Sequence, residues 1–127
     1  MTSHSPGSLI AVVDDDQRIL ESLEILLESA DHAVRLFASG AALLQSGYLS
    51  EIHCLISDIG MSGMNGLELV RAVHAVRPGL PIILITGHPD VLNGTLPVGE
   101  GCHRLFTKPF NGPELLAAVS DAVGAAG

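Results

Sequence analysis

Short apolar runs recur along this chain at intervals that a helix can fill, and that rhythm limits the fold more than any other feature. Leu9–Val13, Ala33–Phe37, Cys54–Asp58, Pro81–Thr86 and His103–Thr107 each read as a strand. Their largely continuous apolar character suits strands covered on both faces. Between them, apolar residues return at helical spacing: Ile19, Leu20, Leu23, Leu26, Leu27 and Ala30, then Leu43 and Leu44, then Leu67, Val70, Val73 and Val76, and last Leu115, Leu116, Val119 and Val123. Strands that alternate with helices pair in parallel through right-handed crossovers. The expected fold class is therefore α/β, a doubly wound five-stranded parallel sheet with helices on both faces.

Boundary residues agree with this reading. Asp16 or Asp15 is placed to cap the first helix, Ser39 the second, and Gly47 to end the second. A Gly- and Met-rich loop runs from Ile59 to Asn65, and the helix after it stops before Pro78-Gly79. Asn111, Pro113 and Glu114 open the last helix as cap, early proline and the acid three residues on. Pro89, Gly94, Pro97, Gly99 and Gly101 oppose regular helix between the fourth and fifth strands, so the fourth helix is expected to be short or irregular. With 127 residues, 47% of them hydrophobic, the chain suits one core. We expect a flexible N-terminal tail over 1–8, one domain over 9–123 and a C-terminal tail over 124–127.

Charge narrows the function. Six basic against fourteen acidic residues give a net charge of −8, which opposes binding to a phosphate backbone. Direct nucleic acid binding is not expected. No apolar run approaches the roughly 20 residues that span a bilayer, and the start lacks a basic region followed by an apolar stretch, so a cytoplasmic location is expected. Cys54 and Cys102 suggest neither a disulfide nor a metal pair, and the histidines at 4, 32, 53, 74, 88 and 103 lack ligand spacing.

In open α/β sheets, ligands bind beyond the carboxyl ends of the strands. Asp14, Asp15, Asp58, Thr86 and Lys108 each end or follow a strand. Three carboxylates at one edge repel one another unless a hard cation lies between them, and oxygen-rich coordination suits Mg²⁺. A lysine there can pair with the acids at rest and with a phosphoryl oxygen afterwards, while the Thr86 hydroxyl donates to another. Phosphoryl transfer onto a carboxylate needs mainly positioning and charge neutralisation. Asp58 stands alone after the central apolar strand and is the candidate nucleophile; the adjacent Asp14 and Asp15 suit a metal. Each of these residues taken singly is more often a solvated turn, a cap or a surface side chain. His88 follows Thr86 by two positions and is a candidate for the mouth of the site.

Val12-Val13-Asp14-Asp15, Asp58 with Met61 three residues on, Met64-Asn65-Gly66, Thr86-Gly87 and Lys108-Pro109-Phe110 together resemble the response-regulator receiver family of two-component signalling, from about Leu9 to Val123. The resemblance implies the flavodoxin-like receiver fold, with Asp58 as phospho-acceptor. It implies Mg²⁺ held by Asp14, Asp15, Asp58 and the Gly60 backbone carbonyl, Thr86 and Lys108 on the phosphoryl group, and a cis Lys108-Pro109 bond. The implied partners are a sensor histidine kinase or histidine phosphotransfer protein upstream and a downstream protein or fused output domain. The domain would not be an enzyme beyond its own phosphotransfer and dephosphorylation. The chain departs from the family at Ser62, where proline is usual; at Leu105, where an aromatic is usual, with Phe106 expected in the core; and in the Gly- and Pro-rich stretch from Pro89 to Gly101. Two rival readings are a degenerate receiver that docks proteins without phosphorylation and a haloacid-dehalogenase-type phosphatase. The second wants an acid where Gly60 stands.

Overall fold

The structure, a computed structural model, describes residues 8–60, 66–87 and 104–126. Five strands, β1 (Leu9–Val13), β2 (Ala33–Phe37), β3 (Cys54–Asp58), β4 (Ile82–Thr86) and β5 (Arg104–Thr107), form one sheet in the order β2-β1-β3-β4-β5. Every pairing is parallel. The described helices are α1 (Gln17–Glu28), α2 (Gly40–Ser46), α3 (Gly66–Val76) and α4 (Gly112–Ala126), and a 3-10 turn, Tyr48–Ser50, leads toward β3.

The sheet separates two apolar layers. Ile10, Val12, Cys54, Ile56, Ile83 and Ile85 meet Leu20, Leu23 and Leu27 of α1 and Leu115, Val119 and Ala122 of α4. Ala11, Val13, Leu55, Ile82 and Leu84 meet Leu43 of α2 and Leu69, Val70 and Val73 of α3. Alternate residues of a strand face opposite layers, so a strand buried on both sides has to be apolar throughout. Phe106 lies in the α1/α4 layer, and Leu105 packs against the other.

Local chemistry sets the helix ends. The Asp16 carboxylate accepts from the Arg18 N–H at 2.9 Å, Ser39 Oγ from the Ala42 N–H at 3.1 Å, and Asn111 Oδ1 from the Glu114 N–H at 2.9 Å. Asp16, and not Asp15, is thus the cap of α1. Gly47 closes α2 in the left-handed region at φ 84°.

Four details differ from the sequence reading. Ala30 lies past the end of α1 and is exposed, because Ser29 ends the helix and Asp31 turns left-handed at φ 69°. Val76, in the last turn of α3, is 66% exposed and does not extend the buried stripe. The fourth strand starts at Ile82 and not Pro81, whose ring leaves no N–H to donate, though its carbonyl accepts from the Leu55 N–H at 3.0 Å. At the far end α4 continues through Ala126, beyond the Val123 boundary, because one exposed glycine at 124 does not outweigh two alanines after it. The Met61–Asn65 part of the loop, His88, the stretch from Pro89 to Gly101, Cys102 and His103 lie outside the described residues.

Candidate functional site

Four strands deliver the site. Asp14 follows β1, and its N–H donates to the Phe37 carbonyl of β2 at 3.1 Å, so backbone pairing carries the chain up to the carboxylate. Asp58 ends β3, which is held between β1 and β4. Thr86 ends β4, and Lys108 follows β5, its N–H donating to the Thr86 carbonyl at 2.7 Å. All of these ends lie at one edge because the sheet is parallel throughout.

Asp14 and Asp58 use their oxygens in the same way. Asp14 Oδ1 accepts from the Asp16 N–H at 2.8 Å, and Asp58 Oδ1 accepts from the Gly60 N–H at 3.1 Å, each a turn closed two residues on. Their Oδ2 atoms flank one ammonium: Lys108 Nζ lies 3.4 Å from Asp58 and 3.7 Å from Asp14. The backbone thus holds one oxygen of each carboxylate, and the other faces a shared cation. Asp58, Thr86 and Asp14 are buried, Asp15 is exposed and Lys108 is half-buried.

Carboxylate oxygens of Asp14, Asp15 and Asp58 all lie within 4.8 Å of one another, the one such group among the described residues. Burial holds the Asp14 carboxyl above its ordinary range and the Asp58 charge adds to this, while the Asp16 N–H and Lys108 oppose it. Asp16, outside the cluster, is held below the ordinary range by the backbone and side chain of Arg18. Burial pushes the Cys54 thiol up to about 12, so it stays protonated inside its apolar layer.

The structure therefore brings Asp14, Asp15, Asp58 and Lys108 into one group and sets Thr86 at the same edge. Gly60 touches Asp58 through its N–H; His88, Met61 and Met64 lie outside the described residues. The Lys108-Pro109 peptide is cis. Sequence reasoning missed the two backbone turns that orient the carboxylates. The signal was present in the acid of each turn and the free N–H two positions later, at Asp16 and Gly60.

Comparison with known proteins gives one consistent result. The response regulator receiver domain family matches residues 10–120. The transcriptional regulatory protein FixJ of Azorhizobium caulinodans is 37% identical over 120 residues, covering 94% of this chain and 57% of the relative. The response regulator protein TodT of Pseudomonas putida is 36% identical, covering 92% of this chain and 52% of the relative. The chain thus spans about half the length of these curated relatives. Among solved structures, a response regulator receiver domain protein from Clostridium thermocellum superposes with a TM-score of 0.85 at 27% identity, covering 93% of this chain and 95% of the other. Full-length FixJ from B. japonicum superposes at 0.83 and 33% identity, covering 96% of this chain and 60% of the other.

Proposed function

The chain belongs to the response regulator receiver domain family, and on that footing we propose that it is a phosphorylation switch whose acceptor is Asp58. The supporting observation is the group at the strand ends: Asp58 buried beside Asp14, both within reach of Lys108 Nζ, with Asp15 completing the acid cluster.

The donor set fits a hard divalent cation. It offers three carboxylates and no softer ligand, and it holds more negative charge than one ammonium can balance. Asp14, Asp15, Asp58 and the Gly60 carbonyl would hold Mg²⁺, which when bound would neutralise charge on the phosphoryl oxygens. The rest falls to the chain. The Gly60 N–H fixes Asp58 Oδ1, which limits the carboxylate to one rotamer. An Asp58 oxygen attacks the phosphorus of a phosphohistidine; the O–P bond forms, the P–N bond breaks, and its electron pair returns to the donor imidazole. Lys108 shifts its ammonium from the carboxylates to a phosphoryl oxygen, and the Thr86 hydroxyl donates to another.

The upstream partner in this reading is a sensor histidine kinase or histidine phosphotransfer protein, acting in the cytoplasm on one receiver domain whose last helix runs to Ala126. The output partner is a downstream protein or a fused output domain. The domain catalyses only its own phosphorylation and hydrolysis. No helix among the described residues is long and apolar enough to cross a membrane. Incubation with Mg²⁺ and acetyl phosphate, followed by intact-mass measurement, should show one added phosphoryl group, absent from Asp58→Asn and from samples treated with a chelator. Equal phosphate gain by the variant would overturn the assignment of Asp58.

A further inference from the structure

The start of β1 is held differently on its two sides. Toward β2 the contacts are backbone to backbone: Leu9 pairs with Ala33, whose N–H donates to the Ser8 carbonyl at 3.0 Å. Toward β3 the strand register begins at Ile10 opposite Cys54, one residue later. Leu9 nevertheless has both backbone groups engaged there, and both by His53. The His53 N–H donates to the Leu9 carbonyl at 2.8 Å, and the Leu9 N–H donates to His53 Nδ1 at 2.9 Å. A side-chain nitrogen thus takes the place of the carbonyl that would continue the ladder.

We propose that His53 is a proton-sensitive clasp: its neutral ring closes the outermost β1–β3 rung, and its protonated ring opens it. Nδ1 accepts a bond only while the ring proton sits on Nε2. A second proton goes to Nδ1 and turns the acceptor into a donor, facing the Leu9 N–H donor. Histidine is the side chain whose charge ordinarily changes within the range of pH a cell can reach. A backbone carbonyl at this position would be indifferent to pH.

Among the described residues, the charged and titratable groups on the surrounding elements are few. Glu51 lies on the same connection, and Arg77 of the α3 end donates from Nη1 to the neighbouring Ile52 carbonyl at 2.6 Å. Asp31 and His32 precede β2 on the other side of β1, while Ser8–Val13 carries none. Arg77 is tied to backbone carbonyls, so the ring's own proton decides the state of the rung. The rung is at the opposite end of β1 from Asp14, so opening starts away from the acid cluster.

Amide hydrogen exchange at Leu9, expressed against its unstructured rate, tests this at pH 8 and pH 5. In the wild type, protection should fall about tenfold at the lower pH, the size expected for one lost hydrogen bond. His53→Asn offers an oxygen near the position of Nδ1 and should keep Leu9 protected at both pH values. His53→Phe offers no acceptor and should leave it unprotected at both. Equal wild-type protection at the two pH values, or an equal loss in His53→Asn, would overturn the clasp. If His53→Phe does not fold, ¹⁵N spectra of the wild-type ring decide: the Leu9 amide shift should track Nδ1 protonation, and a Leu9 signal indifferent to it would also overturn the proposal.

Discussion

Asp14 sits in surroundings that oppose its own charge. It is 2% exposed, close to two other acids, and its carboxyl is held above the ordinary 3.8 chiefly by burial. The folded chain therefore binds this proton more tightly than the unfolded chain. Asp14 favours folding below about pH 3.8, and that contribution is lost as pH rises through the raised folded value. At neutral pH the ionised group works against the fold. Asp14→Asn keeps an oxygen for the Asp16 N–H and removes the charge, so it should stabilise the metal-free domain at pH 7 by roughly 0.5–2 kcal/mol. The gain should shrink toward zero below pH 4. Urea midpoints of wild type and variant measured from pH 3 to 8 check this, and a gain independent of pH would mean the charge is not its source. Added Mg²⁺ should reverse the order of the two midpoints, since only the wild type keeps the full set of acids.

One arginine holds together the ends of several elements. Arg77 Nη1 donates to the Leu49 and Ile52 carbonyls at 2.7 and 2.6 Å, and the Arg77 carbonyl accepts from the Leu80 N–H at 3.0 Å. The end of α3, the 3-10 turn, the lead into β3 and the lead into β4 thus meet at one residue, the first three through its side chain and the last through its carbonyl. Arg77→Ala leaves two carbonyls without a charged donor and should cost about 2 kcal/mol in chemical denaturation, with little change in phosphate uptake at the far edge. This junction was not legible in the sequence, because the bonds span 25 and 28 residues and depend on how the sheet is ordered. Caps were legible: Ser39 and Asn111 act on backbone within three residues, so residue type and spacing suffice. The acids at strand ends were legible for the same reason. That Lys108 would pair with the acids followed from its place after a strand; that its ammonium lies 3.4 Å from Asp58 and 3.7 Å from Asp14 comes from the order of the sheet, which no local pattern carries. Val76 fits an apolar helical rhythm and is nonetheless 66% exposed; periodicity counts residues but does not say where a helix turns away from its sheet.

The sheet divides the interior into two packing layers that share only a backbone. Leu23 of α1 and Leu69 of α3 lie in different layers, each completely or nearly buried. Truncating either to alanine should cost about 2–5 kcal/mol, and the double variant should cost the sum to within about 0.5 kcal/mol, because the two sites share no partner. A clear departure from additivity in thermal or urea unfolding would show that strain passes through the sheet. The parallel arrangement also gives the domain a pole away from the acid cluster. Every acid of the cluster sits at or just past a strand's carboxyl end, while the Pro78–Leu80 turn sits before β4, about 16 Å away along five residues of strand. Gly79 there is exposed, and a Cβ added to it would meet nothing within 4 Å. With Cys54 kept protonated in its core and Cys102 replaced by serine, Gly79→Cys becomes an anchorage for a dye or a surface, from which the switch can be watched without a hand on the mechanism.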